Sequence, residues 1–167
     1  MSRMGWQVAY WFLLALVVLL LDQYTKGLAS AQLQYGQPVQ VLPVFNLTLQ
    51  HNEGAAFSFL SEAGGWQRWF FTIIASAVSV VLAVWLTRLQ RGQILLAASL
   101  ALILGGAVGN LWDRVALGYV VDFISVHYEG RYFPAFNIAD SGISVGAVLM
   151  ILDAFINGDG KEKGEQK

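Results

Sequence analysis

The stretch RGQILLAASLALILGGAVGNLWDR, Arg91 to Arg114, carries no charged side chain between its first residue and Asp113. Its uncharged part, Gly92 to Trp112, matches the roughly 20 residues that a helix needs to cross the hydrocarbon core of a bilayer. Three more runs read the same way: Met4 to Leu21, Trp69 to Thr87, and Pro134 to Leu152, the last free of charge except for Asp140. In lipid only helices and closed barrels satisfy their own backbone groups, and these runs lack the alternation of barrel strands. The expected fold is an all-α membrane protein. It is a single polytopic domain over 1–167, a bundle of four transmembrane helices at about 6–26, 67–87, 92–112 and 136–156.

Composition agrees. Hydrophobic residues make up 56% of the 167 and charged residues 13%, with mean hydropathy +0.55, whereas a soluble domain carries about 25% charged residues. A net charge of −1 gives no electrostatic footprint for nucleic acid. The chain has no cysteine, which excludes disulfides, thiol catalysis and Cys-ligated zinc. His51 and His127 show no metal-ligand spacing, so neither a metal nor another cofactor is expected.

Lys and Arg set the direction of the spans. With both termini cytoplasmic, Arg3, Arg88, Arg91, Lys161, Lys163 and Lys167 lie inside, and Lys26, Arg68, Arg114 and Arg131 outside. The short loop around Arg88–Gly92 is the clearest part of that bias. The polar end, about 157–167, reads as a disordered cytoplasmic tail. Arg3, an apolar run and Ala29-Ser30-Ala31 also have the outline of a cleaved secretory signal, but Asp22 and Lys26 are out of place before such a site. The outer segment at about 30–65 is the longest connection. Within it VFNLTLQ alternates, Phe45, Leu47 and Leu49 against Asn46, Thr48 and Gln50, as a strand with one apolar face does. A small extracytoplasmic β-sheet between helices 1 and 2, lying on the membrane surface, is expected. The triplet Asn46-Leu47-Thr48 matches a glycosylation sequon that arises often by chance.

On this topology the unusual polar residues gather at one membrane face. Asp22 and Lys26, four apart, share a face at the outer end of the first helix. Asn110, Asp113 and Arg114 end the third. Asp122 follows in the next outer loop, and Asn137 and Asp140 open the fourth helix. Structural roles account for several of them: an interfacial ion pair for Asp22 and Lys26, a helix cap for Asn137, and a dipole contact for Asp140. None explains Asp122, isolated within VVDFIS. Two GxxxG pairs, Gly105/Gly109 and Gly142/Gly146, would let the third and fourth helices approach closely and bring Asp122 opposite Asp140. Two carboxylates sharing a site hold one proton between them. Such a pair can activate water without metal, Ser, Cys or His, which makes an aspartic peptidase the leading chemical reading.

Five blocks carry a resemblance: DQYTK at 22–26, NEGAAFS at 52–58, GNLWDR at 109–114, VVDF at 120–123 and FNIADS at 136–141. In this order, and over roughly residues 8–155, the chain resembles the lipoprotein signal peptidases, or signal peptidase II, bacterial integral membrane aspartic peptidases. The resemblance implies a lipid-modified prolipoprotein substrate, cut on the N-terminal side of its diacylglyceryl cysteine. It implies Asp122 and Asp140 as the catalytic pair, and Asn52, Gly54, Asn110, Arg114, Asn137 and Ala139 lining the site, with Asp22 and Lys26 in support. It further implies a multi-pass protein of the bacterial cytoplasmic membrane with its site at the extracytoplasmic face. Membrane lipid and substrate are the expected partners, no nucleic acid is expected, and the chain is expected to be a monomer. Two competing classes remain: a proton-coupled transporter, which four spans without an internal repeat suit poorly, and a non-enzymatic assembly protein, which would tolerate loss of both aspartates. Intramembrane proteases with Y-D and G-x-G-D on adjacent spans are a third, and neither motif is present.

Overall fold

The computed structural model describes residues 3–54 and 66–162. In chain order the elements are α1 (Arg3–Gln32), β1 (Val39–Leu42), β2 (Phe45–Asn52), α2 (Trp66–Arg88), α3 (Ile94–Ala116), β3 (Val120–Tyr128), β4 (Arg131–Tyr132) and α4 (Ile138–Glu162). All four helices are long and apolar enough to cross a membrane. Each overlaps its expected span and most run further; α1 continues past Lys26 to Gln32. The helix α4 runs to Glu162, into the stretch read from sequence as a disordered tail. Residues 163–167 lie outside the described residues, as do 55–65 of the outer segment.

The helix α3 is the centre of the bundle. Its most apolar window is 61% buried against 11% for that of α4, and α1, α2 and α4 all pack on it. The composition of α3 permits this, because small residues line it. A Cβ at Gly105 would stand 2.5 Å from the Ala15 carbonyl of α1, and one at Gly106 would collide with the Ala139 carbonyl of α4. The expected Gly105/Gly109 ridge towards α4 is therefore corrected: Gly105 serves α1, its neighbour Gly106 serves α4, and Gly109 receives both Asp22 and Ala139. On α4, Gly146 does face α3, at Ser99 and Ile103. Towards the end away from the sheet, Leu82, Leu86, Leu96, Leu100 and Leu104 close an apolar core around Ala15, Ala97 and Ala101.

The sheet is four-stranded and antiparallel, in the order β1-β2-β3-β4. Its expected place between the first two helices accounts for β1 and β2 only. Strands β3 and β4 lie between α3 and α4, so Asp122 stands on a strand and not in a loop. The β3–β4 hairpin turns at Glu129-Gly130, both with positive φ (48° and 76°), as a two-residue turn matching the twist of its strands requires. The expected alternation in β2 holds at Leu49, buried, and Gln50, exposed, but not before them: Asn46 and Thr48 are buried while Phe45 and Leu47 are half-buried, and the register with β3 shifts between Leu47 and Gln50. Beyond that shift Gln50 pairs with Asp122, His51 with Val121 and Asn52 with Val120.

Candidate active site

The site begins with the start of α4. Asn137 caps it: Asn137 Oδ1 accepts from the Asp140 amide at 2.9 Å, and Asp140 Oδ2 accepts from the Asn137 amide at 3.3 Å. This is a reciprocal capping box with Asp in the place of Glu. The next free amide, Ala139 N–H, donates across the bundle to Asp22 Oδ1 of α1 at 2.8 Å. A carboxylate at a helix N-terminus is favoured by the exposed amides and the helix dipole, and this contact ties α1 to α4.

Asp22 is also one arm of a buried ion cluster. Lys26 Nζ lies 2.8 Å from Asp22 Oδ2 and 2.9 Å from Asp113 Oδ2. Gln23, which sequence reading passed over inside DQYTK, donates to Asp113 Oδ1 at 2.9 Å and to the Gly109 carbonyl at 3.2 Å. Asp113 in turn accepts from the Val121 amide at 3.1 Å, fixing the first residues of β3 to the end of α3. Its i,i+4 spacing identifies the Asp22–Lys26 pair from sequence; the third member, Asp113, and the strand amide it holds are visible only in three dimensions.

Above this cluster stand Asp122, buried on β3, and Asp140, half-buried on α4. Three asparagines hold them, and each has its own oxygen fixed by a group that can only donate. Lys26 Nζ donates to Asn110 Oδ1 at 2.9 Å, so the Asn110 amide NH₂ turns to Asp140 Oδ1 at 2.8 Å. The Asp140 amide occupies Asn137 Oδ1, so Asn137 Nδ2 reaches Asp122 Oδ1 at 2.7 Å. The Gly54 amide donates to Asn52 Oδ1 at 2.9 Å, so Asn52 Nδ2 meets Asp122 Oδ2 at 3.1 Å. Amide orientation is thereby dictated at all three positions, and the four carboxylate oxygens of the pair each accept a hydrogen bond. Burial, with the nearby Asp140 carboxylate adding to it, pushes Asp122 up to about 6; the Asn52 and Asn137 hydrogen bonds and Lys26 work against this.

All ten residues singled out from sequence fall in this region, in different roles. Asp122, Asp140, Asn52, Asn110 and Asn137 form the pair and its amide frame. Asp22 and Lys26 anchor it from below. Ala139, fully buried, contributes its amide to Asp22 and packs under Gly109. Gly54 has φ +101° and lies against the Phe71 ring, 2.6 Å from where a Cβ would stand. Arg114 spreads over that same ring at 5.5 Å, and its buried Nε has no hydrogen-bond partner among the described residues. Of the block at 52–58, residues 55–58 lie outside the described residues. Sequence reading missed Phe71 and Arg68 of α2, which sit in an apolar run and a helix start that carry no pattern of their own. Among the described residues no group of His, Asp and Glu has the arrangement of a metal site.

The family model described as signal peptidase (SPase) II matches residues 14–156 of the chain. The chain belongs to the signal peptidase II family. A lipoprotein signal peptidase of Acinetobacter baumannii is 56% identical over 145 residues, 87% of this chain and 82% of that protein. One from Cellvibrio japonicus is 54% identical over 160 residues, 96% of this chain and 94% of its own. A solved bacterial membrane enzyme, determined by the in meso method at 2.3 Å, superposes with a TM-score of 0.78 at 32% identity. That match covers 95% of this chain and 92% of the solved one. The chain is therefore a multi-pass membrane peptidase of this family, built as four membrane helices and a small antiparallel sheet.

Proposed function

We propose that this chain is an aspartic endopeptidase that removes signal peptides from diacylglyceryl-modified prolipoproteins, cutting on the N-terminal side of the lipidated cysteine. One observation carries the reading: in a signal peptidase II chain, Asp122 of β3 and Asp140 of α4 are held by one amide frame above a buried ion cluster. The relatives' name supplies the substrate class.

Burial and the nearby Asp140 carboxylate push Asp122, the buried member, upward; in the singly protonated pair we read it as the acid and Asp140 as the base. Asp140 takes a proton from water, whose oxygen bonds to the scissile carbonyl carbon, while Asp122 donates its proton to the carbonyl oxygen. In the second step Asp140 returns its proton to the departing nitrogen, Asp122 recovers one from the diol, and the C–N bond breaks. The half-buried Arg114 guanidinium is a donor for a substrate carbonyl. The exposed Trp66 and Trp69 at the start of α2 suit the water–lipid boundary. Arg88 and Arg91 at the opposite end favour a cytoplasmic α2–α3 turn, which supports a site at the extracytoplasmic face of the bacterial cytoplasmic membrane.

The test is incubation of the purified protein with a lipidated prolipoprotein and with the same chain bearing an unmodified cysteine, scored by mass. Release of the signal peptide ending just before the cysteine, far faster from the lipidated form at saturating substrate, is expected. Remote binding energy from the acyl chains then serves to align the bond. Equal turnover of the two forms would remove lipid recognition. No cleavage by the wild-type chain would remove the reading.

A further inference from the structure

We propose that the outer turn of α2, through Arg68 and Phe71, is the positioning device for Asp122, bracing both flanks of that residue from a helix that supplies no hydrogen bond to it. The inference rests on Asp122 belonging to the reacting pair. On one flank is Phe71. Its ring fills the space beside Gly54, whose positive φ already excludes other residues. Gly54 N–H holds Asn52 Oδ1, and Asn52 Nδ2 holds Asp122 Oδ2. The ring therefore backs the small turn that aims an amide at the carboxylate. On the other flank is Arg68. Its Nε donates to the Arg114 carbonyl at 2.8 Å and its Nη2 to the Val115 carbonyl at 2.9 Å. These belong to the last turn of α3, where carbonyls lack helical partners and a cation is favoured by the dipole. The same turn contains Asp113, which holds the Val121 amide next to Asp122.

Two separate contact chains thus run from one turn of α2 to one carboxylate. Arg68 and Phe71 are three apart, so they share a helix face, and Arg114 lies between the two chains: its carbonyl is bound by Arg68 and its guanidinium lies over Phe71. A purely structural brace would change stability alone. A brace for Asp122 also changes its titration, because the Asn52 bond favours the charged carboxylate. The charged groups about Asp122 are Asp140 on α4, Lys26 on α1, and Asp113 and Arg114 on α3. His51 of β2 pairs with Val121 and so lies on the other face of the ladder. The substitution Phe71→Leu removes none of these charges. It loosens the Asn52 turn, so the carboxyl of Asp122 keeps its proton to higher pH.

The experiment is steady-state kinetics of the full chain in detergent across pH for Phe71→Leu, Arg68→Gln and Arg68→Lys, with Asp122→Asn as reference. In Phe71→Leu, kcat falls roughly ten- to a hundredfold, the scale of a small misplacement, with KM little changed, and the alkaline limb of the profile moves up. In Arg68→Gln kcat falls by a similar factor, and Arg68→Lys, which keeps the charge and one donor direction, recovers part of it. Wild-type kcat and profile in both Phe71→Leu and Arg68→Gln overturn the inference. Lowered thermal stability with an unchanged pH profile also overturns it, leaving α2 as packing only. If Arg68→Gln does not accumulate, Phe71→Leu and Arg68→Lys decide by the same criteria. An active Asp122→Asn would overturn the reading on which the inference rests, an outcome separate from all of these.

Discussion

Asp22 and Asp113 share one ammonium, Lys26 Nζ, at 2.8 and 2.9 Å. Asp122 and Asp140, directly above, have no ion pair among the described residues and are held by amides of Asn52, Asn110 and Asn137. The two pairs occupy the same end of one bundle and are treated oppositely. A buried carboxylate beside a cation is coupled to it, because removing either partner strands the other. A carboxylate held by neutral amides has its position fixed without an ion pair; at Asp122 the amide donors favour the charged form and burial opposes it. The lower cluster ties α1, α3 and β3 together through ion pairs; the upper pair has its geometry fixed by neutral amides. Asn110 joins them, taking its orientation from Lys26 and passing it to Asp140.

The largest expected difference between the clusters is in turnover. Asp122→Asn and Asp140→Asn keep shape and hydrogen-bonding size but cannot cycle a proton. Each is expected to lower turnover by roughly 10²–10⁴-fold, the range for general acid–base groups, with the protein still expressed, inserted and folded. The reading fails for whichever residue retains near wild-type turnover when replaced.

The second contrast is in stability. Lys26→Met leaves Asp22 and Asp113 facing each other without a counterion, a loss of about 3–5 kcal/mol for a broken buried pair. It also frees Asn110 to flip. Thermal unfolding in detergent should show a large drop for Lys26→Met. A double variant with Asp22→Asn should recover part of it, because the repulsion is relieved. Unchanged unfolding in Lys26→Met would mean that the cluster is not the anchor described here.

How much of this was legible beforehand differs between the same two groups. The four spans follow from charge-free length alone, since lipid leaves a chain few options. Asp22 and Lys26 follow from helical spacing. The catalytic candidates stood out because charge is rare in this chain, so each isolated carboxylate is conspicuous. Strand β3 was not legible: VVDFISVHY is buried along most of its length and lacks the alternation that marks a half-exposed strand. The buried face of β2 was misjudged for a related reason. Asn46 and Thr48 turn inward beside Ser125, while apolar residues on the other face need no burial in protein where lipid is near. The asparagine frame is a property of orientation, which depends on three donors far apart in the chain, Lys26, Gly54 and Asp140, and leaves no spacing in the sequence.

The smallest expected effect runs against intuition, and it separates the clusters most cleanly. Asp122 stands at about 6 in the folded protein against an ordinary 3.8, so the folded state holds a proton that the unfolded state releases between those values. Stability contributed by that proton is present below about pH 4, declines as pH rises through 6, and is flat above. At neutral pH the buried charge therefore costs the fold no more than about 3 kcal/mol, at 1.36 kcal/mol per unit. Asp122→Asn abolishes this slope, and the variant should unfold at higher temperature than the parent at pH 7 while matching it near pH 4. The opposite sign is expected for Asp113→Asn, which removes a partner from Lys26 and leaves Val121 N–H with a weaker acceptor. Paired melting curves at the two pH values check this. A destabilised Asp122→Asn at pH 7 would mean that its carboxylate is anchored like those of the ion cluster, and the contrast between the two clusters would collapse.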